Sequence, residues 1–248
     1  MIKKAMNVYK VVMAFALIIL FGTLGSLLRV LSFGLLTNFN RTILIPLFCK
    51  LTLAVMGIRV ENRVKLPEIN KPHFFTFNHN SYLDGFVLMG LGLKDMRILM
   101  SEKILIFLPV ALVSFSIGLL YIPQKKNKER RMNLFYRTEK RVEEEQISIM
   151  GSSEGVHRYG ERIARFNRGV YHMALNCKMP IVALFIYTPI ESNPYANFRP
   201  FRRGTVIIET LDVVSTNDWK LEDLDDHIAE IRSKYVKRFN EYYNMNTV

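Results

Sequence analysis

Three stretches of the chain carry almost no charge, and they set its first division. The 18 residues from Val11 to Leu28 are uncharged, and only Arg29 interrupts the apolar sequence before Leu36. As a helix, Val11–Leu36 would reach roughly 39 Å, enough to cross a bilayer. A second apolar stretch, Thr42 to Gly57, holds only Lys50, and Asn38, Asn40 and Arg41 separate the two. The pattern predicts a helical hairpin over residues 1–57 that either spans a membrane or lies embedded in one leaflet. Arg29 favours embedding, because an arginine at the bilayer midplane is costly. One ordinary buried core helix is the bland alternative. A cleaved signal peptide fits poorly, since the apolar stretch is too long and no small-residue cleavage site closes it. The third run, Ile104 to Pro123, is broken by Pro109 and Gly118. It reads as a buried or interfacial helix running into a strand.

Beyond residue 57 the pattern alternates. Short β-rich runs fall at Ile58–Glu61 and His73–Phe77, a helix at Leu83–Leu93 and a strand at Arg97–Met100. Ile104–Ile117 is helical, Leu119–Ile122 extended, Lys128–Glu145 a charged helix and Ile147–Met150 a strand. Gly169–Asn176 reads as a helix, Pro180–Tyr187 as a continuous apolar strand and Thr205–Leu211 as another strand. An amphipathic helix, Leu221–Tyr243, closes the chain, with apolar residues at 221, 224, 228, 231, 235 and 239. Strands alternating with helices predict an α/β domain over residues 58–248, a mixed sheet flanked by helices, behind an N-terminal membrane-embedded helical hairpin. Residues 193–203 form the one long loop-like stretch.

Composition sharpens the choice of partner. Half of the residues are hydrophobic and the mean hydropathy is +0.11, too apolar for disorder. The formal charge is +12, and the excess is local. Residues 1–70 hold nine Lys or Arg against Glu61 and Glu68; residues 125–141 hold eight against Glu129 and Glu139. Basic patches beside a greasy N-terminus suit an anionic membrane surface better than a nucleic-acid groove. Two cysteines, Cys49 and Cys177, exclude a disulfide scaffold, and both are expected to be buried and inert. The five histidines lack ligand spacing, so no metal is expected, and no Walker loop or G-x-G-x-x-G motif is present.

The first candidate for chemistry is FTFNHNSYLDG, residues 75–85. On a continuous helix His79 and Asp84 would point about 140° apart. They meet only if His79 sits in the loop after a strand and Asp84 in the first helical turn, with Ser81 as cap. An imidazole so held is a general base whose imidazolium is stabilised. The second candidate is ISIMGSSEGVHRYG, residues 147–160, where small residues and Arg158 at a strand exit suit an oxyanion or phosphate. The third, FNRGVYHMALNCKMPIVALFI at 166–186, alone is a helix–strand unit.

These blocks in this order resemble the lysophosphatidic acid acyltransferase (1-acylglycerol-3-phosphate O-acyltransferase) family. Its signature is Asn-His-x4-Asp, a Gly-led strand ending in Arg, Phe-Pro-Glu-Gly-Thr-Arg, and a Pro-containing apolar strand. Asn78, His79 and Asp84 match the first block, Glu154 and Gly155 the centre of the third, and Pro180, Ile181 and Val182 the fourth. The resemblance implies a membrane-bound O-acyltransferase. His79 would be the base and Asp84 its orienting carboxylate, with no cofactor and no metal. The donor would be acyl-CoA or acyl-carrier protein, the acceptor a lysophospholipid, and the site would lie on the cytoplasmic face. Two blocks depart from the signature. GLLYIPQKK puts Gln124 where the family has arginine, with Lys125 and Lys126 beside it; Val156 and His157 replace Thr-Arg, with Arg158 one position on. Asn78, Lys125, Lys126, Glu154, Gly155 and Arg158 are thus the expected substrate-binding residues, the basic ones facing an acceptor phosphate. Readings from other classes remain: an α/β-hydrolase using Ser153 of GSSEG with Asp212 and His227, a non-catalytic membrane-binding homologue, and a basic nucleic-acid binder.

Overall fold

The computed structural model describes residues 2–67, 71–124, 126–155, 162–193 and 202–243. Helix α1 (Ile2–Leu31) leads through a turn at 32–36 into α2 (Thr37–Phe39). A π-helical stretch (Asn40–Leu44) and α3 (Ile45–Met56) continue the same rod. Gly57, at φ 78°, ends it, its N–H donating to Ala54 and Leu53 carbonyls. There follow β1 (Ile58–Arg63), β2 (Phe74–Phe77), α4 (Leu83–Gly90), β3 (Met96–Ser101), a 3-10 turn (Glu102–Ile106), α5 (Leu108–Ile117) and β4 (Leu120–Ile122). The chain closes with α6 (Lys128–Glu145), β5 (Ser148–Ser152), α7 (Arg168–Asn176), β6 (Ile181–Tyr187), a 3-10 turn (Ile190–Ser192), β7 (Gly204–Val214) and α8 (Leu224–Tyr243).

The strands form one sheet in the order β1-β7-β6-β2-β5-β3-β4. β2 lies parallel to β5 and β6, and β3 parallel to β4 and β5; β7 runs antiparallel to β6 and parallel to β1. The sheet is therefore mixed, as expected. Its two faces separate by the period-2 rule. Phe75, Phe77, Ile98, Met150, Val182, Leu184 and Ile186 pack on one side with α1, α3, α4 and α5. Phe74, Leu99, Ile149, Ile181, Ala183 and Phe185 pack on the other with α7 and α8. Cover on both faces explains why β6 is an unbroken apolar run, as a strand buried on both sides must be.

The hairpin exists but turns elsewhere than the sequence suggested. Asn38, Asn40 and Arg41 do not separate the helices; they lie inside the second rod. Buried Asn40 donates to the Gly25 and Ser116 carbonyls at 2.8 and 3.0 Å, and Arg41 donates to Ile117 at 2.6 Å. Arg29 donates to the Phe115 carbonyl and lies over the Phe115 ring. Together these side chains reach the Phe115, Ser116 and Ile117 carbonyls in the last turn of α5, adding to the Gly118 N–H that Phe115 already accepts. The turn itself, at 32–36, is apolar, with Phe33 and Gly34 at positive φ. Gly22 and Gly25 permit the close crossing of α1 and α5: a Cβ on Gly25 would lie 2.9 Å from that of Ser116.

Smaller differences have local causes. The expected helix Ile104–Ile117 breaks at Phe107, whose extended backbone precedes Leu108 and Pro109 in the first turn of α5. The last helix starts at Leu224 rather than Leu221, and β7 runs on to Val214. Cys49 is buried as expected, whereas Cys177 is only half-buried, and burial pushes its thiol up to about 12.

Candidate active site

Strand β2 is central, and its carboxyl end delivers Asn78 and His79 into a loop that α4 closes. This edge, where the parallel strands end, is where open α/β sheets place their sites. Asp84 stands in the first turn of α4 with a fully buried side chain. Its Oδ2 lies 2.9 Å from His79 Nδ1 and accepts the N–H groups of Asn80 at 3.0 Å and Ser81 at 2.9 Å. Ser81 Oγ accepts the Leu83 N–H at 3.1 Å, so serine and aspartate close the turn from opposite sides. The loop geometry expected from the five-residue spacing is the geometry found.

The electrostatics follow from burial. Burial pushes the Asp84 carboxyl up from its ordinary value, and the hydrogen bond to His79, the His79 charge and the two backbone N–H donors pull against it. The His79 side chain remains 31% exposed. Its Nδ1 is turned to the carboxylate. A base whose Nδ1 is held by a carboxylate can take a proton from a bound hydroxyl through Nε2.

Other expected site residues are distributed unevenly. Glu154 reaches the site but spends both oxygens on backbone: Oε1 accepts the His79 N–H at 3.1 Å and Oε2 the Ala164 N–H at 2.8 Å. Burial pushes its carboxyl up, opposed by those bonds. It therefore braces the loop that carries His79. Asn78, expected to touch substrate, is fully buried; its amide donates to the Ile186 carbonyl at 2.9 Å and accepts the Ile186 N–H at 2.8 Å. That corrects its role from contact to brace. Gly155 sits at φ 62°, where a Cβ would fall 2.8 Å from the Asn167 amide nitrogen. Lys126 is exposed near the end of β4, three strands from β2 in the sheet order. Lys125, His157 and Arg158 lie outside the described residues.

Asn193 is a member of the site that no motif marks. Its amide donates to the Asn80 carbonyl at 3.0 Å and its Oδ1 accepts from Ser81 Oγ at 3.3 Å, locking the loop from 112 residues away. Behind the loop, Tyr171 donates to Ser153 Oγ at 3.0 Å and Tyr235 to the Thr76 carbonyl at 3.1 Å. Ser153 is thus a buried acceptor and not an exposed nucleophile. Its supposed partners are engaged elsewhere, Asp212 with Lys234 at 2.7 Å and His227 stacked on Trp219. The hydrolase reading fails on this geometry.

A buried carboxylate holding a part-exposed imidazole at the carboxyl edge of a helix-covered mixed sheet is a layout suited to general-base chemistry. The Acyltransferase family profile matches residues 57–187. The chain belongs to that family and is an acyltransferase. It is 22% identical over 245 residues to the 1-acyl-sn-glycerol-3-phosphate acyltransferase of Haemophilus influenzae, covering 96% of this chain and 95% of that protein. It is 26% identical over 171 residues to human 1-acyl-sn-glycerol-3-phosphate acyltransferase beta, covering 68% of this chain and 60% of that one. The fold matches the crystal structure of the 1-acyl-sn-glycerophosphate (LPA) acyltransferase PlsC from Thermotoga maritima. That match has a TM-score of 0.72 and 16% identity, covering 99% of this chain and 98% of that one.

Proposed function

We propose that this enzyme transfers a fatty acyl group from an acyl thioester, acyl-CoA or acyl-carrier protein, to the free hydroxyl of a lysophospholipid. The favoured acceptor is 1-acylglycerol-3-phosphate and the product phosphatidic acid. The observation that carries the reading is the 2.9 Å contact between His79 Nδ1 and the buried Asp84 carboxylate. Nδ1–H donates to Asp84, so Nε2 takes the acceptor hydroxyl's proton as the oxygen attacks the thioester carbonyl. Asp84 offsets the imidazolium charge that forms. Collapse of the tetrahedral intermediate breaks the C–S bond, and the imidazolium returns its proton to the leaving thiolate. No covalent enzyme intermediate is needed. No cofactor takes part, and the described residues offer no group of three metal-ligating side chains.

Two rods, Val8–Leu31 and Thr37–Met56, are long and apolar enough to cross a membrane. On this reading the hairpin holds the enzyme in the membrane, with the site on the cytoplasmic face where acyl thioesters are made. Lys126, with Lys125 and Arg158 of the sequence motif, would meet the acceptor phosphate. Lysine supplies charge without arginine's two-pronged geometry. The test is turnover of a lysolipid panel by the membrane-bound protein. Lysophosphatidic acid should lead, and Lys126→Glu with Arg158→Ala should raise its KM far more than that of the donor. Preference for a lysolipid lacking a phosphomonoester would leave the acyl transfer and overturn the acceptor.

A further inference from the structure

After β3 the chain leaves the sheet at the same edge as His79, and there it displays four consecutive large apolar side chains. Leu105, Ile106, Phe107 and Leu108 are 46, 79, 65 and 69% exposed. The segment is firmly built. Phe107 N–H donates to Ile104 at 3.1 Å and Ala111 N–H to Phe107 at 2.9 Å. At its base Glu102 accepts the Gln124 N–H at 3.0 Å and pairs with Arg130 at 3.4 Å. Lys103 is exposed within it, Arg130 beside it on Glu102, and Lys128 is exposed two residues before Arg130 at the start of α6. An apolar tip this size, rimmed by charge, marks an interaction surface.

Its neighbourhood identifies the partner. α1 runs parallel to α5, with Gly22 against Leu112 and Val113, and Gly25 against Ser116. Stepping back along both helices brings the exposed Phe15 and Ile19 of α1 level with the tip. The tip therefore lies beside the apolar stripe of α1 that exposes Val8, Val12, Phe15 and Ile19. A docked acidic protein would match the lysines but leave this stripe uncovered.

We infer that Leu105–Leu108 is a second membrane contact, separate from the hairpin. It inserts into the acyl region of an anionic bilayer beside the site, with Lys103, Lys128 and Arg130 on the headgroup phosphates. The inference rests on the membrane reading above and adds a fixed point. With hairpin and tip both inserted, the carboxyl edge of the sheet is held against the headgroup layer, where a lysolipid hydroxyl lies.

Trp219, the sole tryptophan, is buried against His227 and gives a constant background. Full-length Phe107→Trp would be mixed with vesicles of equal parts phosphatidylcholine and phosphatidylglycerol, with or without brominated acyl chains. The expected result is a blue-shifted emission quenched by the brominated chains, while the parent protein shows neither effect. Cosedimentation with unshifted, unquenched emission would overturn the tip contact alone. Failure to cosediment would overturn the hairpin reading and the tip contact together. A shift produced by an acidic acyl-carrier protein and not by vesicles would replace the bilayer with a protein partner. Ile106→Asp with Leu108→Asp should keep turnover on a short-chain lysolipid dissolved as monomers. The same variant should lose roughly tenfold or more on acceptor in bilayers. Equal loss on both would overturn the inference. Lys103→Glu with Lys128→Glu should weaken partition to anionic vesicles by about fivefold per site and leave neutral ones unchanged; equal partition to anionic vesicles would remove the headgroup contact.

Discussion

Asp84→Asn isolates the charge of the pair at almost constant shape. The amide oxygen can take the place of Oδ2 and keep the Asn80 and Ser81 N–H bonds. The amide nitrogen then occupies the position of the buried Oδ1. Stranding it costs about 1–3 kcal/mol, offset by no longer burying a charge. The fold should therefore survive with a modest drop in Tm. Catalysis should suffer more. At 2.9 Å and an effective dielectric near 20, an imidazolium and a carboxylate attract by about 6 kcal/mol. Solvent at the part-exposed imidazole cuts that to roughly half, so about 3 kcal/mol of transition-state stabilisation disappears, or about 10²-fold in rate. That places the effect at the lower end of the ~10²–10⁴-fold range of general-base catalysis, because the amide oxygen in the place of Oδ2 still fixes the Nδ1–H tautomer. The assay is kcat with an acyl thioester donor and saturating lysolipid, alongside a thermal melt. A well-folded variant with kcat within a factor of about three of the parent would refute the role of Asp84.

Ser153→Ala should keep most transfer activity while costing about 1–2 kcal/mol, because the Tyr171 hydroxyl is left without its buried acceptor. Covalent capture of Ser153 by a fluorophosphonate probe would contradict this. Glu154 offers a pH signature. Its carboxyl lies above the ordinary glutamate value in the folded state, so the fold binds that proton more tightly than the unfolded chain does. The resulting stability is present at low pH and is lost as pH rises from the ordinary value through the raised one. Asp84 acts with the same sign. Glu154→Gln, which does not ionise, should flatten the fall of Tm across that window; an unchanged slope would show that burial does not perturb this carboxyl.

The His79–Asp84 pair was legible because it is local. Five residues, one strand end and one helix start bring His79 against Asp84, so the pair can be read within its own segment. Its supports were not legible. Asn193 and Ile186 reach the loop from over a hundred residues away, and nothing in their own sequence neighbourhoods marks them. Asn78 and Glu154 were visible but assigned to substrate, since sequence reports that a polar residue is present and not which way it points. The hairpin turn was misplaced for the same reason. Asn40 and Arg41 looked like a solvated break, yet they point inward to cap α5. The real turn carries Phe33 and Leu35, both almost fully exposed, which in water would be a poor turn.

That apolar turn and the packing of α3 bear on how the hairpin meets a membrane. Arg29 is bonded to α5, its charge engaged by a carbonyl and a ring, so it does not by itself keep the hairpin from crossing; the packing of the second rod does. Half of the second rod's apolar window is buried, with Phe48, Cys49, Leu53 and Met56 in the same core as the sheet and α4. α1 is fixed along α5 from Gly22 to Arg29. A bilayer-spanning hairpin would drag α5, α4 and one sheet face into the hydrocarbon with it. A hairpin lying in one leaflet exposes only the outer stripe of α1 and the turn. Phe33→Cys in a Cys177→Ser background tests the difference, because Cys49 is buried. In sealed vesicles carrying the protein on one side, a membrane-impermeant thiol reagent should fail to label the turn cysteine from either side and should label it after detergent. Labelling from the far side would show a hairpin that crosses the bilayer, and the packing of α3 on the sheet would then have to open in the membrane.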